Sequence, residues 1–282
     1  MIYVNNIPVN VHKFPAGEQS MLDFEVLITD YDRYIPIRWN YEDDSELFTL
    51  ICVVNHIRDI YSDTIINLHL PYIPHARMDR TKSTSEIFTL KYFTKIINDL
   101  NFNKVFVNDP HSDVSVALLD RVINVPITNV LEKVIGEIND KNLIIYFPDA
   151  GAFKRYKDEP ALKDFHKCYG EKVRDWKTHR ITGLNINMNG LNLSNPAEYS
   201  VLMIDDIISY GGTFYYSANK LKEEGFGKIY AYSTHTENEM LNEEKGTFIK
   251  SLNDGTVERL FTTDSIFNKE HNKIETIKIW MS

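Results

Sequence analysis

The amino-acid sequence predicts an α/β protein of two similar domains, each a mainly parallel sheet flanked by helices. Three observations carry that prediction. Apolar runs rich in β-branched residues alternate with longer amphipathic stretches, the pattern of consecutive βαβ units. The chain has 282 residues, more than the roughly 100–200 of a single domain. The two halves also echo each other, because an apolar run ends in an acidic turn near Asn108-Asp109 and another does so near Ile204-Asp205.

Strands are expected at Phe24–Thr29, Ile65–Leu70, Val105–Asn108, Leu143–Pro148, Ser200–Ile204 and Lys228–Thr234. Leu50, Ile51, Val54, Ile57 and Ile60 recur near helical spacing within Leu47–Tyr61, as do Phe88, Leu90, Phe93, Ile96 and Ile97 within Ser85–Leu100. The first domain is read as residues 1–130 and the second as 131–282, joined near Leu131–Asn142, with the last residues free to return to the first domain. Asp158–Asp175 and Asn185–Ala197 are polar and lack apolar periodicity, so a mobile lid and a hairpin are expected there. Signals weaken over Glu237–Ser282.

Composition removes several function classes. The formal net charge of −9 argues against sequence-independent nucleic-acid binding, which needs a basic face to displace counterions. Cys52 and Cys168 lie far apart and outside metal-ligand spacing, so neither a disulfide framework nor a zinc site is expected. The N-terminal stretch has no basic flank before a long apolar core, and no run of about 18 apolar residues occurs. A cytoplasmic protein with reduced thiols and no membrane partner is therefore expected. The abundance of Asn, Ile, Lys and Tyr suits an AT-rich genome such as that of a large phage, which would place the chain in a host cytoplasm.

The most informative string runs from Val201 to Thr213, where an apolar strand meets Asp205-Asp206, then Ser209-Tyr210-Gly211-Gly212-Thr213, then an amphipathic stretch to Glu224. In open α/β sheets ligands bind at the carboxyl ends of strands, and the free N–H groups of a helix start favour anions. Gly211 and Gly212 let the main chain approach a phosphate, while Ser209 and Thr213 offer hydroxyls. Asp205 and Asp206 suit ribose hydroxyls, or a magnesium ion with its waters. A Gly-Gly turn alone is as often a plain hinge, but the whole string is much rarer. It resembles the phosphoribosyl-pyrophosphate motif shared by type I phosphoribosyltransferases and ribose-phosphate pyrophosphokinases.

The first half points to the second of these families. Phe14-Pro15-Ala16-Gly17-Glu18 is similar to the adenine-contacting Phe-x-Asp-Gly-Glu segment of the pyrophosphokinases, with Ala16 in place of the acid. Pro71-Tyr72 followed by Ala76-Arg77-Met78-Asp79-Arg80 is similar to their Pro-Tyr…Ala-Arg-Gln-Asp-Arg segment, with Met78 for Gln. Asn108-Asp109-Pro110-His111 resembles their Asp-Leu-His loop, Asp120 falls where they carry an acid, and Thr128 stands where another acid is usual. Pro148-Asp149-Ala150-Gly151-Ala152-Phe153-Lys154-Arg155 resembles a segment bordering their sugar-phosphate site, and Glu171-Lys172-Val173-Arg174 leading into Ile181-Thr182-Gly183 resembles their mobile catalytic loop. Taken singly, an Asp-x-His pair is more often a solvated pair and basic loop residues more often a solvated face. The resemblance spans residues 14 to 235 in consistent order.

The resemblance implies two phosphoribosyltransferase-like domains and transfer of the β,γ-pyrophosphoryl group of ATP to the C1 hydroxyl of ribose 5-phosphate, with Mg2+ as cofactor. It assigns ATP to Phe14, Glu18, Arg77, Asp79 and His111, and the metal to Asp109, His111 and Asp120. The sugar phosphate falls to Asp149, Asp205, Asp206, Ser209, Tyr210, Gly211, Gly212 and Thr213, and catalysis to Lys172 and Arg174. Because the family's adenine pocket borrows a loop from a neighbouring subunit, a homodimer or higher homo-oligomer is implied.

One departure bears on the acceptor. The family's sugar-phosphate loop reads Asp-Thr-Gly-Gly-Thr, and Tyr210 replaces a small hydroxyl with a ring that can stack on a base or flank a pyrophosphate. ADP-ribose is the alternative acceptor on that ground, giving a product usable for rebuilding NAD; the plain alternative is that Tyr210 packs on the following helix. Ala16, Met78 and Thr128 also leave open a regulatory homologue without catalysis. A plain phosphoribosyltransferase would leave the first-half matches without a role.

Overall fold

Residues 1–22, 34–174 and 181–279 are described by the computed structural model, in which the chain divides into two units, Met1–Pro126 and Ile127–Ser282. The expected strand Phe24–Thr29 lies outside the described residues.

The first unit runs β1 (Ile2–Val4), β2 (Ile7–Pro8), β3 (Asn10–Lys13), β4 (Gln19–Leu22), β5 (Tyr34–Trp39), α1 (Ser45–Ile60), β6 (Ile65–His69), α2 (Thr89–Asp99), β7 (Lys104–Asn108), α3 (Asp113–Leu118) and β8 (Val122–Val125). Its sheet has the order β2-β1-β5-β6-β7-β8, parallel from β5 to β8, with β1 antiparallel to β5. Period-two alternation in β5 buries Ile35, Ile37 and Trp39. These pack into one core with Leu50, Val53, Val54 and Ile57 of α1 and Leu90, Phe93 and Ile97 of α2. The second of these helices starts at Thr89 rather than Ser85 because Ser83, Ser85 and Glu86 bond one another and nearby main chain as a local turn.

The second unit runs α4 (Thr128–Ile138), β9 (Leu143–Phe147), α5 (Ala150–Tyr156), β10 (His166–Arg174), β11 (Ile181–Asn187), β12 (Ser200–Ile208), α6 (Gly212–Glu223), β13 (Ile229–Thr236), α7 (Phe248–Asn253), β14 (Arg259–Thr263) and β15 (Ile274–Ile277). Its sheet order is β11-β10-β9-β12-β13-β14-β15, parallel throughout except for the β10–β11 pair. Strand β9 is buried at every position, as a parallel strand covered on both faces must be. Ile144, Tyr146, Val201 and Met203 face a core completed by Phe214, Ala218 and Leu221 of α6 and by Phe248 and Leu252 of α7. Leu143, Ile145, Phe147, Leu202 and Ile204 face the other, completed by Leu131 and Val134 of α4 and by Ala152 and Tyr156 of α5.

Several boundaries differ from expectation, each for a physical reason. The stretch assigned to a join, Leu131–Asn142, is mostly helix α4, because Leu131 and Val134 bury one face of it and Asn139 ends it in a left-handed cap. The polar stretch expected as a lid over Asp158–Asp175 is, within its described residues 158–174, not all loop. Its second half is β10, which continues parallel to β9 and pairs antiparallel with β11, so the hairpin lies earlier than the Asn185–Ala197 stretch where one was expected, of which only residues 185–187 are strand. The alternation that builds it was present in the sequence, with Cys168 and Gly170 buried between Lys167, Tyr169 and Glu171. The weakly patterned tail supplies α7, β14 and the edge strand β15 of the second sheet. Among the described residues, no helix is long and apolar enough to cross a membrane.

Phe147 is fully buried and stacks on Tyr156, with ring centroids 6.1 Å apart. Phe147→Ala is expected to lower stability by about 3–5 kcal/mol. Phe48→Ala, at a position 55% exposed, should change it by no more than ~0.5 kcal/mol. Urea unfolding of the two variants checks both values.

Candidate functional site

In the second unit, β9, buried throughout, and β12, buried from Ser200 to Ile204, carry their polar ends to the same edge of the sheet. After Phe147, Pro148 leads to Asp149, whose Oδ1 accepts the N–H groups of Gly151 (3.0 Å) and Ala152 (3.1 Å) and caps α5. Strand β12 extends to Ile208, four residues beyond the expected end. The acid pair therefore sits inside the strand, in register with β13 at Asp205↔Ser233 and Ile207↔His235. Burial is made tolerable there by hydroxyls, since Ser233 Oγ donates to the Asp206 carbonyl at 3.2 Å.

The two carboxylates have different partners. Asp206 is buried and its Oδ1 lies 2.5 Å from Arg155 Nη1 of α5. Arg155 stood in the quoted motif without an assigned role; its (i, i+6) spacing from Asp149 gives no local sign of an ion pair to a strand distant in sequence. Asp205 accepts the Asp206 N–H at 3.0 Å, and its pKa is held well above the usual carboxylate range, first by burial and then by the neighbouring Asp206 carboxylate. One arginine thus serves two acids, and the second is the harder to ionise.

Beyond Ile208 the chain turns through Ser209, Tyr210 and Gly211 into α6. Gly211 has φ +80°, and a Cβ there would lie 2.3 Å from Phe248 Cβ of α7, so only glycine fits the turn. The Tyr210 carbonyl accepts the N–H groups of Thr247 (2.8 Å) and Phe248 (3.3 Å). Ser209 Oγ donates to Glu237 Oε2. The α6 start leaves the N–H groups of Gly212 and Thr213 without helical acceptors, the arrangement that suits an anion. Tyr210 is 41% exposed. Next to this turn lies an open cleft of about 820 Å³, lined in part by Pro148, Leu184, Gly212, Thr213, Tyr216 and Lys220.

Lys172 and Arg174 belong to β10, paired with Leu184 and Ile181 of β11 across a bulge at Val173/Arg174. They stand on a hairpin arm rather than in a loop; their side chains lie outside the description. Gly170, just before them, has no room for a Cβ, with Tyr146 Oη 2.5 Å and the Pro148 carbonyl 2.6 Å from its position. Burial pushes the Cys168 thiol up to about 12, which removes it as a nucleophile near neutral pH.

In the first unit, the Asn108 N–H donates to the Pro71 carbonyl at 3.0 Å, which joins the two strand-end segments at one edge of the sheet. Asp109 follows, buried, with a left-handed backbone at φ +43°, a conformation that Asp tolerates and that clusters at functional turns. His111 is half-buried beyond it. Arg77 is exposed, and Asp79 lies 3.6 Å from Arg80 Nε. Phe14 and Glu18 occupy the exposed tip of the β3–β4 hairpin, closed by Phe14 N–H to the Glu18 carbonyl at 2.8 Å and by Gly17 at φ +90°. Gln19, directly after that tip, ties the hairpin to α1, accepting from Thr49 Oγ1 at 2.6 Å.

Asp120 does not join Asp109 and His111. It precedes β8, whose first residue Val122 pairs with Val105 near the start of β7, whereas Asp109 follows the last residue of β7. The Asp120 N–H is tied to Asn98 Oδ1 near the end of α2, so the three residues expected around a metal stand at opposite ends of the sheet. Sequence order alone hides this, because one parallel strand separates the two ends. Among the described residues no three His, Cys, Asp or Glu side chains form a ready metal cage. Magnesium asks less of a protein, since one or two carboxylates plus substrate phosphates hold it, and Asp109 with His111, or Asp205 at the other site, has donors of that kind.

Comparison with known proteins leads to the family that the motifs resemble. No family model matches the chain. The ribose-phosphate pyrophosphokinase of Bacillus subtilis is 27% identical over 274 residues, covering 95% of this chain and 80% of that protein. That of Pyrococcus furiosus is 25% identical over 230 residues, covering 80% and 77%. The crystal structure of phosphoribosylpyrophosphate synthetase from Mycobacterium smegmatis superposes with a TM-score of 0.69 at 17% identity, over 96% of this chain and 86% of that one, a likeness of fold. On sequence and fold together, the chain is a homologue of the ribose-phosphate pyrophosphokinases.

Proposed function

We propose that the protein transfers the β,γ-pyrophosphoryl group of ATP to the C1 hydroxyl of a ribose 5-phosphate-type sugar, releasing AMP. The observation that carries this reading is the β12 edge, where an acid pair, a glycine turn closed against Phe248 and an unsatisfied helix start follow one another within nine residues. The relatives' name supports the choice of reaction.

The C1 oxygen attacks the β-phosphorus, the bond from that phosphorus to the oxygen of the α-phosphate breaks, and AMP leaves with the electron pair. Such a transfer asks the protein for positioning and charge stabilisation rather than covalent chemistry. In this reading the N–H groups of Gly212 and Thr213 hold the sugar phosphate, Asp205 orients the ribose hydroxyls, and Asp206 with Arg155 holds Asp205 in place. Arg77 and His111 hold the ATP phosphates, and Lys172 and Arg174 stabilise the negative charge on the transferring group. Magnesium, when bound beside Asp109, would neutralise and polarise the phosphate oxygens. Phe14 and Glu18, exposed at their hairpin tip, serve the adenine of a neighbouring subunit, which makes the active form a homodimer or larger.

A second acceptor, ADP-ribose, is favoured by one observation. Tyr210 and Tyr216 expose 41% and 65% of their surface, and Tyr216 lines the cleft beside the phosphate loop. Rings so placed can stack on a base joined through a diphosphate. Phosphorus NMR of the protein with magnesium, ATP and each sugar decides the matter: AMP and a new anomeric diphosphate are expected with at least one acceptor, and their absence with both would sink the proposal.

Lys172→Ala should lower turnover at least about a hundredfold while ATP binding persists, the usual loss for one charge stabiliser; steady-state kinetics with ATP titration checks it. Asp205→Asn should separate function from stability. Because folding raises the pKa of Asp205, ionising it penalises folding once the pH passes the ordinary carboxylate value. The amide variant should therefore be more stable than the parent by about 0.5–2 kcal/mol at pH 7. That advantage should fade as the pH falls towards ~4. Its kcat/KM for the acceptor should drop roughly tenfold or more. Thermal melts across pH in the absence of ligand, with acceptor kinetics, test both halves.

A further inference from the structure

We propose that Glu237 is the positioning residue of the acceptor loop, supplying from the end of β13 the carboxylate that the loop itself lacks at Ser209. The idea rests on reading the Ser209–Thr213 turn as the acceptor-phosphate site. The family loop quoted above opens on an acid, and here that position is Ser209. The Ser209 hydroxyl donates to Glu237 Oε2, so a negative charge stands beside the loop, reached through a neighbouring strand.

Main-chain geometry holds Glu237 in place independently of that bond. Its N–H donates to the Ile208 carbonyl at 2.8 Å, the residue directly before the loop, and its own carbonyl accepts the Met240 N–H at 3.1 Å. The chain then returns through Gly246, where a Cβ would lie 2.4 Å from the Met240 carbonyl oxygen. From there Thr247 and Phe248 donate to the Tyr210 carbonyl. Segment 237–248 is thus a collar bonded to Ile208, Ser209 and Tyr210 in turn. Within it Glu237 makes the charge-assisted bond, about twice as strong as one between neutral groups. That bond fixes the Ser209 rotamer at the entry to the glycine turn. The N–H groups of Gly212 and Thr213 are then ordered before an anion arrives, and binding need not supply that order.

The test uses three proteins, the parent, E237Q and S209D/E237Q, each titrated calorimetrically with ribose 5-phosphate and with ADP-ribose and assayed for AMP release. E237Q keeps size and shape but loses the charge, so affinity for the accepted sugar should fall about tenfold, with KM for ATP holding within about twofold. S209D/E237Q moves the charge to the loop and leaves an amide to donate to it, rebuilding the bond with its polarity exchanged; affinity should return to within about threefold of the parent. A structural role alone would not be repaired by that exchange. Unaltered acceptor affinity in E237Q, or no recovery in the double variant, overturns the assignment while leaving pyrophosphoryl transfer intact. Acceptor binding that follows the expected order without any AMP release supports Glu237 and instead removes the proposed reaction.

Discussion

Everything at the proposed acceptor site depends on two parallel strands, β9 and β12, being covered on both faces. Because Leu143–Phe147 and Val201–Ile204 are buried throughout, neither strand can slide without driving apolar side chains into the opposite core, and register is fixed by the period of two. The polar residues at their ends inherit that fixity. Asp149 is delivered to the start of α5, and Asp206 reaches Arg155 from the next helix turn. A pair of acids held this close is unfavourable on its own, and the cores on either side are what make it tolerable.

The two units solve the same problem with different coverings. The first sheet alternates, with Ile35, Ile37 and Trp39 turned towards α1 and α2, and a main-chain bond between Asn108 and Pro71 joins strand-end segments at its polar edge. The second has a core on each side and a collar of chain around its loop. Tight backbone approaches gather in the second unit at Gly170, Gly211 and Gly246, where the space for a Cβ is already taken. Close approach of main chain to main chain is what a phosphate-sized ligand needs nearby, because N–H groups then point outward with nothing in front of them.

Much of this was legible in the residues. Five parallel strands, the two long helices of the first unit and the turn at Gly211 follow from β-branched runs, apolar spacing and a glycine between a strand and a helix. What sequence hides is contact at long separation. The Arg155–Asp206 and Ser209–Glu237 pairs join residues 51 and 28 positions apart, and nothing local distinguishes Arg155 from Lys154 or Glu237 from Glu239. Asp120 illustrates the reverse error. Near Asp109 and His111 in sequence, it is carried to the far end of the sheet by the direction of β8. The segment around Lys172 was misread for a subtler reason: polar residues facing solvent on a strand that buries small ones look like a loop when only apolar bulk is counted.

The contact between Gly211 and Phe248 has a consequence for how this chain can drift. A methyl group at 211 collides with the β-carbon of 248 rather than with the movable end of a ring, so trimming Phe248 to a smaller side chain would not make room. The backbone angle at 211 adds its own veto against branched residues. Two unrelated obstacles would have to be lifted by separate substitutions, neither helpful alone, which leaves that position evolutionarily trapped even if the ligand it serves were to change.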